Sequence, residues 1–301
     1  DHPFPTYPLG FPEAVLEQFS RQTGRAVLGN IAGSGTAMID RFAAEQAATG
    51  AWIVYTSADS VFQIAAHEEV VPLDELYAAC ATARAILTPP HNVSRVIARP
   101  FVGSPGAYRR TTNRRDFSLE PLGETLLDAL QAAGIARQGI GKVDDLFAAR
   151  GISSQHTADN REGIARIAQW LDGSGNPEVS HSGLLFANLV DFDQLYGHRN
   201  DVAGFYGALR QFDAALPGLL AGLRDGDFLA ITADHGNDPT TPSTDHARER
   251  VPLLLTAGGR GVKPVSVGER ATFSDLGATI AEWFGIAFRG RGTSFLQEIM
   301  A

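Results

Sequence analysis

The sequence predicts an α/β protein in two parts. A smaller α/β region covers about residues 1–117, and a larger one over 118–301 holds a mostly parallel sheet between helices. Three observations carry this prediction. The apolar runs of the second part are continuous rather than alternating, as expected of strands buried on both faces. They alternate with amphipathic helical patterns, the sign of parallel strands joined by helical crossovers. Between the parts, "GSPGAYRRTTNRRDF" (103–117) is basic, turn-rich and poor in apolar residues, and reads as a loop or boundary with an arginine cluster.

In chain order, "PEAVLEQFSRQTG" (12–24) reads as a helix closed by its glycine. "IAGSGTA" (31–37) lacks the lysine of a phosphate-binding loop and the spacing of a dinucleotide loop, and reads as a tight turn. "AWIVYTSA" (51–58) and "SRVIARPFV" (94–102) are strands, and "LDELYAACATARAIL" (73–87) is a helix ending before Pro-Pro. His67 and Cys80 read as structural, the latter as a small core residue. In the second part, "PLGETLLDALQAAG" (121–134) and "REGIARIAQWLDG" (161–173) are helices, and "RQGIGKV" (137–143) is a short strand. "SGLLFANLVD" (182–191), "DFLAITAD" (227–234) and "VPLLLTAG" (251–258) are apolar strands. "GFYGALRQFDAALPGLLAGL" (204–223) is a helix that its internal proline should bend or split. "FSDLGATIAEWFG" (273–285) has the Ser/Asp start and glycine end of a capped helix.

The bulk properties exclude some functions. The chain has 301 residues, 44% hydrophobic and 20% charged, as in an ordinary globular protein. A net charge of -9 argues against nucleic-acid or acidic-membrane binding. Cys80 is the single cysteine, which favours a reducing compartment. With no apolar run long enough to span a bilayer and no visible signal peptide, the expected location is the cytoplasm.

In sheets of this kind ligands sit beyond the carboxyl ends of the strands. Two strand ends here are rich in Asp and His. "LLFANLVD" runs into Asp191, Asp193 and His198, and "FLAITA" into Asp234, His235 and Asp238, followed by Asp245 and His246. Mixed carboxylate and imidazole ligation suits borderline divalent ions such as zinc or manganese. The number of groups suffices for much of a paired-ion site of the kind that clamps phosphoryl groups. Gly236 would let the backbone leave the pleat so that both members of an Asp-His pair turn inward.

"NLVDFDQLYGHRNDVAGF" and "LAITADHGNDPTTPSTDHARERVPLL" resemble the metal-binding segments of phosphopentomutases, members of the alkaline phosphatase superfamily. "IVYTSADSVFQIAAHEE" and "SRVIARPFVG" are similar to that family's cap domain, and the resemblance covers nearly the whole chain. It implies an alkaline-phosphatase-like core carrying a smaller α/β cap. It also implies an isomerase of nucleoside and pentose phosphate metabolism that exchanges (deoxy)ribose 1-phosphate and 5-phosphate through a phosphothreonine and a 1,5-bisphosphate, primed by a pentose or hexose bisphosphate. It assigns Asp193, His198 and His246 to one Mn2+, and Asp234 and His235 to a second. Ser57 and Asp59 match residues that bind sugar hydroxyls. Arg95, Arg110 and Lys142 match phosphate-binding positions, where a guanidinium fork suits a phosphate.

The sequence departs from the family pattern in one respect. The strand with a further metal-binding Asp, and the "TGHWE"-like segment with the nucleophilic threonine, have no counterpart; Thr6, Thr36 and Thr56 do not match. The resemblance places both upstream of Asp1. The expectation is a chain lacking roughly the first quarter of the family's length, with no catalytic nucleophile of its own and no turnover alone. Two other readings stay open: another metal-dependent phosphomutase or phosphatase of the superfamily, and a non-catalytic metal-binding fragment. "TSADSV" with "RVIARPFVG" favours the pentose enzyme over the first.

Overall fold

The structure is a computed structural model that describes residues 4–57, 60–174, 182–244, 246–259 and 261–300. Asp1, upstream of which the nucleophilic threonine is expected, lies outside the described residues. The chain is a mixed α/β protein that divides after Glu120 into two compact units. Among the described residues no helix is long and apolar enough to cross a membrane.

Unit 1 contains α1 (Glu13–Thr23), β1 (Val27–Ala32), α2 (Gly35–Thr49), β2 (Trp52–Thr56), β3 (Val61–His67), α3 (Leu73–Ile86), β4 (Arg95–Val102), β5 (Arg109–Arg110) and β6 (Arg115–Ser118). The strand order is β1-β2-β3-β4-β5, with β6 also on β4. The pairs β1/β2 and β3/β4 are parallel, and the rest are antiparallel. Side chains of a strand alternate between faces, and here both faces are covered. Trp52 and Val54 pack with Phe62, Ile64 and the α1 and α3 residues Phe19, Leu76 and Cys80. Ile53 and Tyr55 pack with Ala65, Phe101 and the α2 residues Met38, Ile39 and Ala43. This explains why β2 reads as an unbroken apolar run. Gly24 closes α1 in the left-handed conformation at φ 70° and donates to the Ser20 carbonyl. Ser34 caps α2, so "IAGSGTA" is not a turn throughout: it starts as the end of β1, ends as helix, and only Gly33 and Ser34 connect the two.

The basic stretch 103–117 is not wholly loop. It holds β5 and the start of β6, which pair with β4 at Phe101↔Arg110 and Ala98↔Arg115. Arginines on exposed short strands hide the alternation that betrays a strand, and charge at a sheet edge discourages pairing with other chains. His67 is buried, with Nε2 on the Gly103 carbonyl and Nδ1 accepting from the Glu69 N–H, so both ring nitrogens are engaged in structure. Cys80 is buried in the core, and burial pushes its thiol far up from its ordinary pKa.

Unit 2 contains α4 (Leu126–Ala132), β7 (Ala136–Ile140), α5 (Val143–Leu146), β8 (Ser154–Gln155), α6 (Asn160–Asp172) and β9 (Gly183–Ala187). A π-helical turn, Phe192–Tyr196, and a 3-10 turn, Gly197–Arg199, then lead into α7 (Val202–Ala221), β10 (Phe228–Thr232), β11 (Leu253–Ala257), α8 (Ser274–Trp283) and α9 (Leu296–Ile299). β8, β7 and β9 form a parallel sheet in that order. β10 and β11 pair antiparallel as a separate two-stranded sheet. Among the described residues no helix lies between those two strands, so no crossover makes them parallel; the returning loop holds much of the site instead. The helix over 202–221 runs unbroken through Pro217, whose missing N–H removes only the bond that would run back to the Asp213 carbonyl. α8 begins at Ser274 without the expected side-chain cap; Asp275 is buried and accepts from the Thr293 N–H instead.

Candidate functional site

The first group of site residues is positioned by the exit from β9. The chain winds through the π-helical turn, which carries Asp193, and the 3-10 turn, which carries His198. Asn200 ends it in the left-handed conformation at φ 52°, and its amide donates to the Thr241 carbonyl. The second group follows β10. Gly236 and Ala247 form an isolated antiparallel bridge with N–H···O distances of 3.1 and 2.8 Å. This bridge folds the loop back and lays the His235 ring on that of His246, with centroids 3.6 Å apart. A Cβ at Gly236 would meet the end of the exposed Glu249 side chain and come within 3.1 Å of the Ala247 carbonyl oxygen.

The two groups meet on one oxygen. Asp193 Oδ1 lies 3.2 Å from His198 Nε2 and 3.1 Å from His246 Nε2, and Asn237 Nδ2 donates to it at 3.3 Å. His198 Nδ1 donates to the Thr244 carbonyl at 2.6 Å. A carbonyl can only accept, so Nδ1 carries a proton and Nε2 is the ring atom turned toward the carboxylate. An imidazole nitrogen and a carboxylate oxygen held that close can share one cation between them. Ligands about 2.0–2.2 Å from one ion, at tetrahedral or octahedral angles, lie roughly 3.0–3.5 Å apart, and the observed separations fall in that range. The donor set therefore fits a borderline divalent metal. Asp193 is half-buried and the two histidines are exposed.

Asp234 and His235 lie beside this group, with His235 Nε2 3.6 Å from Asp234 Oδ2. They do not join the close cluster of Asp193, His198 and His246. Asp191 is not part of the site. It is buried, its carboxylate accepts from the Asn160 N–H at 2.8 Å, and its own N–H donates to the Asn160 side chain at 3.0 Å. It holds the start of α6 to the end of β9. Asp238 is a turn residue that accepts from Thr240, and Asp245 lies outside the described residues. Sequence reasoning passed over Asn237, Thr244 and Gly197. Asn237 packs where a Gly197 side chain would be; its signal was its place inside the "ADHGND" segment.

Lys142 precedes α5, and its ammonium donates to the Gln194 side chain at 3.0 Å, one residue from Asp193. Asp144, Asp145 and His156 form another group of close ligand atoms, with His156 Nε2 2.9 Å from Asp144 Oδ1. In unit 1, Ser57 follows β2 and is half-buried, and Asp59 lies outside the described residues. Arg95 begins β4, opposite Ser118, and Arg110 lies on β5, opposite Phe101 near the other end of β4. Arg95 Nη1 is 3.5 Å from the Asp116 carboxylate, which also accepts from Arg114. Arg110 Nη1 and the Tyr55 hydroxyl both lie near Gly35. Arg99, between them on β4, donates to the Gln63 side chain at 3.0 Å.

Residues 172–287 match the family model described as the Metalloenzyme superfamily. A protein named phosphopentomutase from Caldanaerobacter subterraneus is 53% identical over 99% of this chain and 75% of its own length. One of that name from Anaeromyxobacter dehalogenans is 55% identical over 98% of this chain and 73% of its own. Another, from Carboxydothermus hydrogenoformans, is 52% identical over 99% of this chain and 75% of its own. With relatives this similar over nearly its whole length, and a divalent-metal donor set where the superfamily match lies, the chain belongs to the phosphopentomutase family.

Proposed function

We propose that the chain acts in the interconversion of ribose or deoxyribose 1-phosphate with the 5-phosphate, through a phosphothreonine and a 1,5-bisphosphate, with a pentose or hexose bisphosphate as primer and the cytoplasm as its location. The carrying observation is the meeting of Asp193, His198 and His246 from two strand ends, in a chain 53% identical to a protein named phosphopentomutase. In this reading Asp193, His198 and His246 hold one Mn2+, and Asp234 and His235 a second. When bound, the ions supply positive charge to phosphoryl oxygens.

The chain's own groups bind and orient. The Thr244 carbonyl keeps the His198 proton on Nδ1 and so leaves Nε2 free to ligate, while Asn237 holds the Asp193 carboxylate in place. Arg95, Arg110 and Lys142 bind phosphate oxygens, and Ser57 and Asp59 bind sugar hydroxyls. The phosphoryl carrier of this reading is a threonine that Thr6, Thr36 and Thr56 do not match, and the steps assigned to the residues named above are binding steps.

The test is calorimetric titration of the chain in Mn2+ with ribose 5-phosphate and, separately, 3-phosphoglycerate. The pentose phosphate should bind at least tenfold more tightly. Equal or tighter binding of the glycerate would replace this reading with another phosphomutase of the superfamily.

A further inference from the structure

Lys142 and Asp144 leave β7 two residues apart and go to opposite neighbours. β7 is the middle strand of its sheet, between β8 and β9. On the β8 side Asp144 is tied down. Its N–H donates to the Ser154 hydroxyl at 2.9 Å, and its Oδ1 accepts from the Asp145 N–H at 3.1 Å and lies 2.9 Å from His156 Nε2. On the β9 side the Lys142 ammonium reaches the Gln194 side chain at 3.0 Å, inside the π-helical turn and next to Asp193. The Gln194 N–H donates to the Val190 carbonyl at 2.9 Å, which fixes the residue within that turn.

The kind of partner decides what the lysine can do. Two aspartates lie two and three residues from Lys142, yet among the described residues its partner is a neutral amide and not a carboxylate. An ammonium can only donate, so the Gln194 carbonyl oxygen faces it. Lysine has one of the largest rotamer entropies to lose on ordering, and a side chain fixed beforehand binds a ligand at a smaller cost. A carboxylate at position 194 would fix the ammonium as well, but would cancel its charge. The amide fixes it and leaves the charge whole.

We propose that Gln194 is a positioning residue for the phosphate of a sugar phosphate: it holds the Lys142 ammonium, uncancelled, beside the turn that carries Asp193. The proposal rests on the reading of Lys142 as a phosphate-binding residue and adds Gln194 to it.

The experiment uses the whole chain in Mn2+, with ribose 5-phosphate as probe and ribose as control, read by calorimetric titration. Gln194 is exposed, so substitution there leaves the core untouched. Gln194→Met keeps the reach of the side chain and removes the acceptor. It should weaken ribose 5-phosphate binding about 2–10-fold, the range of an ordinary hydrogen bond, and leave Mn2+ and ribose binding unchanged. On a Lys142→Ala background the same substitution should cost nothing further, because a residue that acts through another has no effect without it. Gln194→Glu keeps an acceptor at the same reach and adds a charge. It should weaken ribose 5-phosphate binding more than Gln194→Met does, whereas a bond that served only the fold would survive the change. Parent-like affinity in Gln194→Met or Gln194→Glu, or an equal loss from Gln194→Met on both backgrounds, would overturn the proposal while leaving the role of Lys142 intact. Parent-like affinity in Lys142→Ala would remove the reading of Lys142 itself.

Discussion

Replacing Asp193 by Asn keeps the shape of the site and removes the charge on which it converges. The magnitude follows from the geometry. Asp193 Oδ1 faces His198 Nε2 at 3.2 Å and His246 Nε2 at 3.1 Å, so one oxygen serves the whole cluster. Losing a group that merely supports a ligand costs about 10–100-fold in metal affinity, and a charged ligand shared in this way should cost at least the upper figure. At free Mn2+ of about 100 times the parent's dissociation constant, binding adds about 2.7 kcal/mol to stability. The same concentration adds roughly 0.4 kcal/mol or less to a variant weakened 100-fold. For a unit of this size 1 kcal/mol moves the melting temperature by about 2–4 °C. Mn2+ should therefore raise the parent's transition by about 5–11 °C and that of Asp193→Asn by no more than about 2 °C. Scanning calorimetry with and without Mn2+ reads both. Equal rises in the two proteins would refute the claim that Asp193 ligates the ion.

Three further outcomes follow from the same structure. Thr125 caps α4 in a reciprocal box with Asp128, so Thr125→Ala should destabilise unit 2 by about 1 kcal/mol in urea denaturation. The hydrogen bond from Arg25 holds the Glu75 carboxyl below its ordinary pKa, with Nε on Oε1 at 2.6 Å and Nη2 on Oε2 at 2.9 Å. A depressed carboxyl stabilises above its unfolded pKa of about 4.3 and loses that stabilisation as the pH falls through the folded value; the pair is partly exposed, so Glu75→Gln should cost no more than about 1 kcal/mol at pH 7, with melting curves converging on the parent's in acid. Lys142→Ala should weaken ribose 5-phosphate binding about 10-fold or more without changing Mn2+ uptake, measured by paired titrations.

What the sequence revealed, and what it concealed, has physical causes. β2 was legible because both of its faces are covered, so every residue is apolar or small enough to bury. The ends of α1 and α6 were legible because Gly24 and Gly173 take left-handed backbone, at φ 70° and 78°, that other residues avoid. β1 was not, because Gly29 and Asn30 both have positive φ and its register against β2 shifts there. The metal residues stood out as Asp-His pairs at strand ends. The different fates of Asp191 and Asp193 did not: two residues apart and identical in type, they are separated by the π-helical turn, one into Asn160 and the other into the site. The juxtaposition of Gly35, Tyr55 and Arg110 comes from three elements of one sheet and its helix, and no local pattern encodes it.

The most direct test of the metal assignment is anomalous diffraction at the manganese edge from crystals of the chain grown with Mn2+. The account predicts a peak bonded to Asp193, His198 and His246, and a second bonded to Asp234 and His235. A peak at Asp144, Asp145 and His156 with none at Asp193 would contradict it.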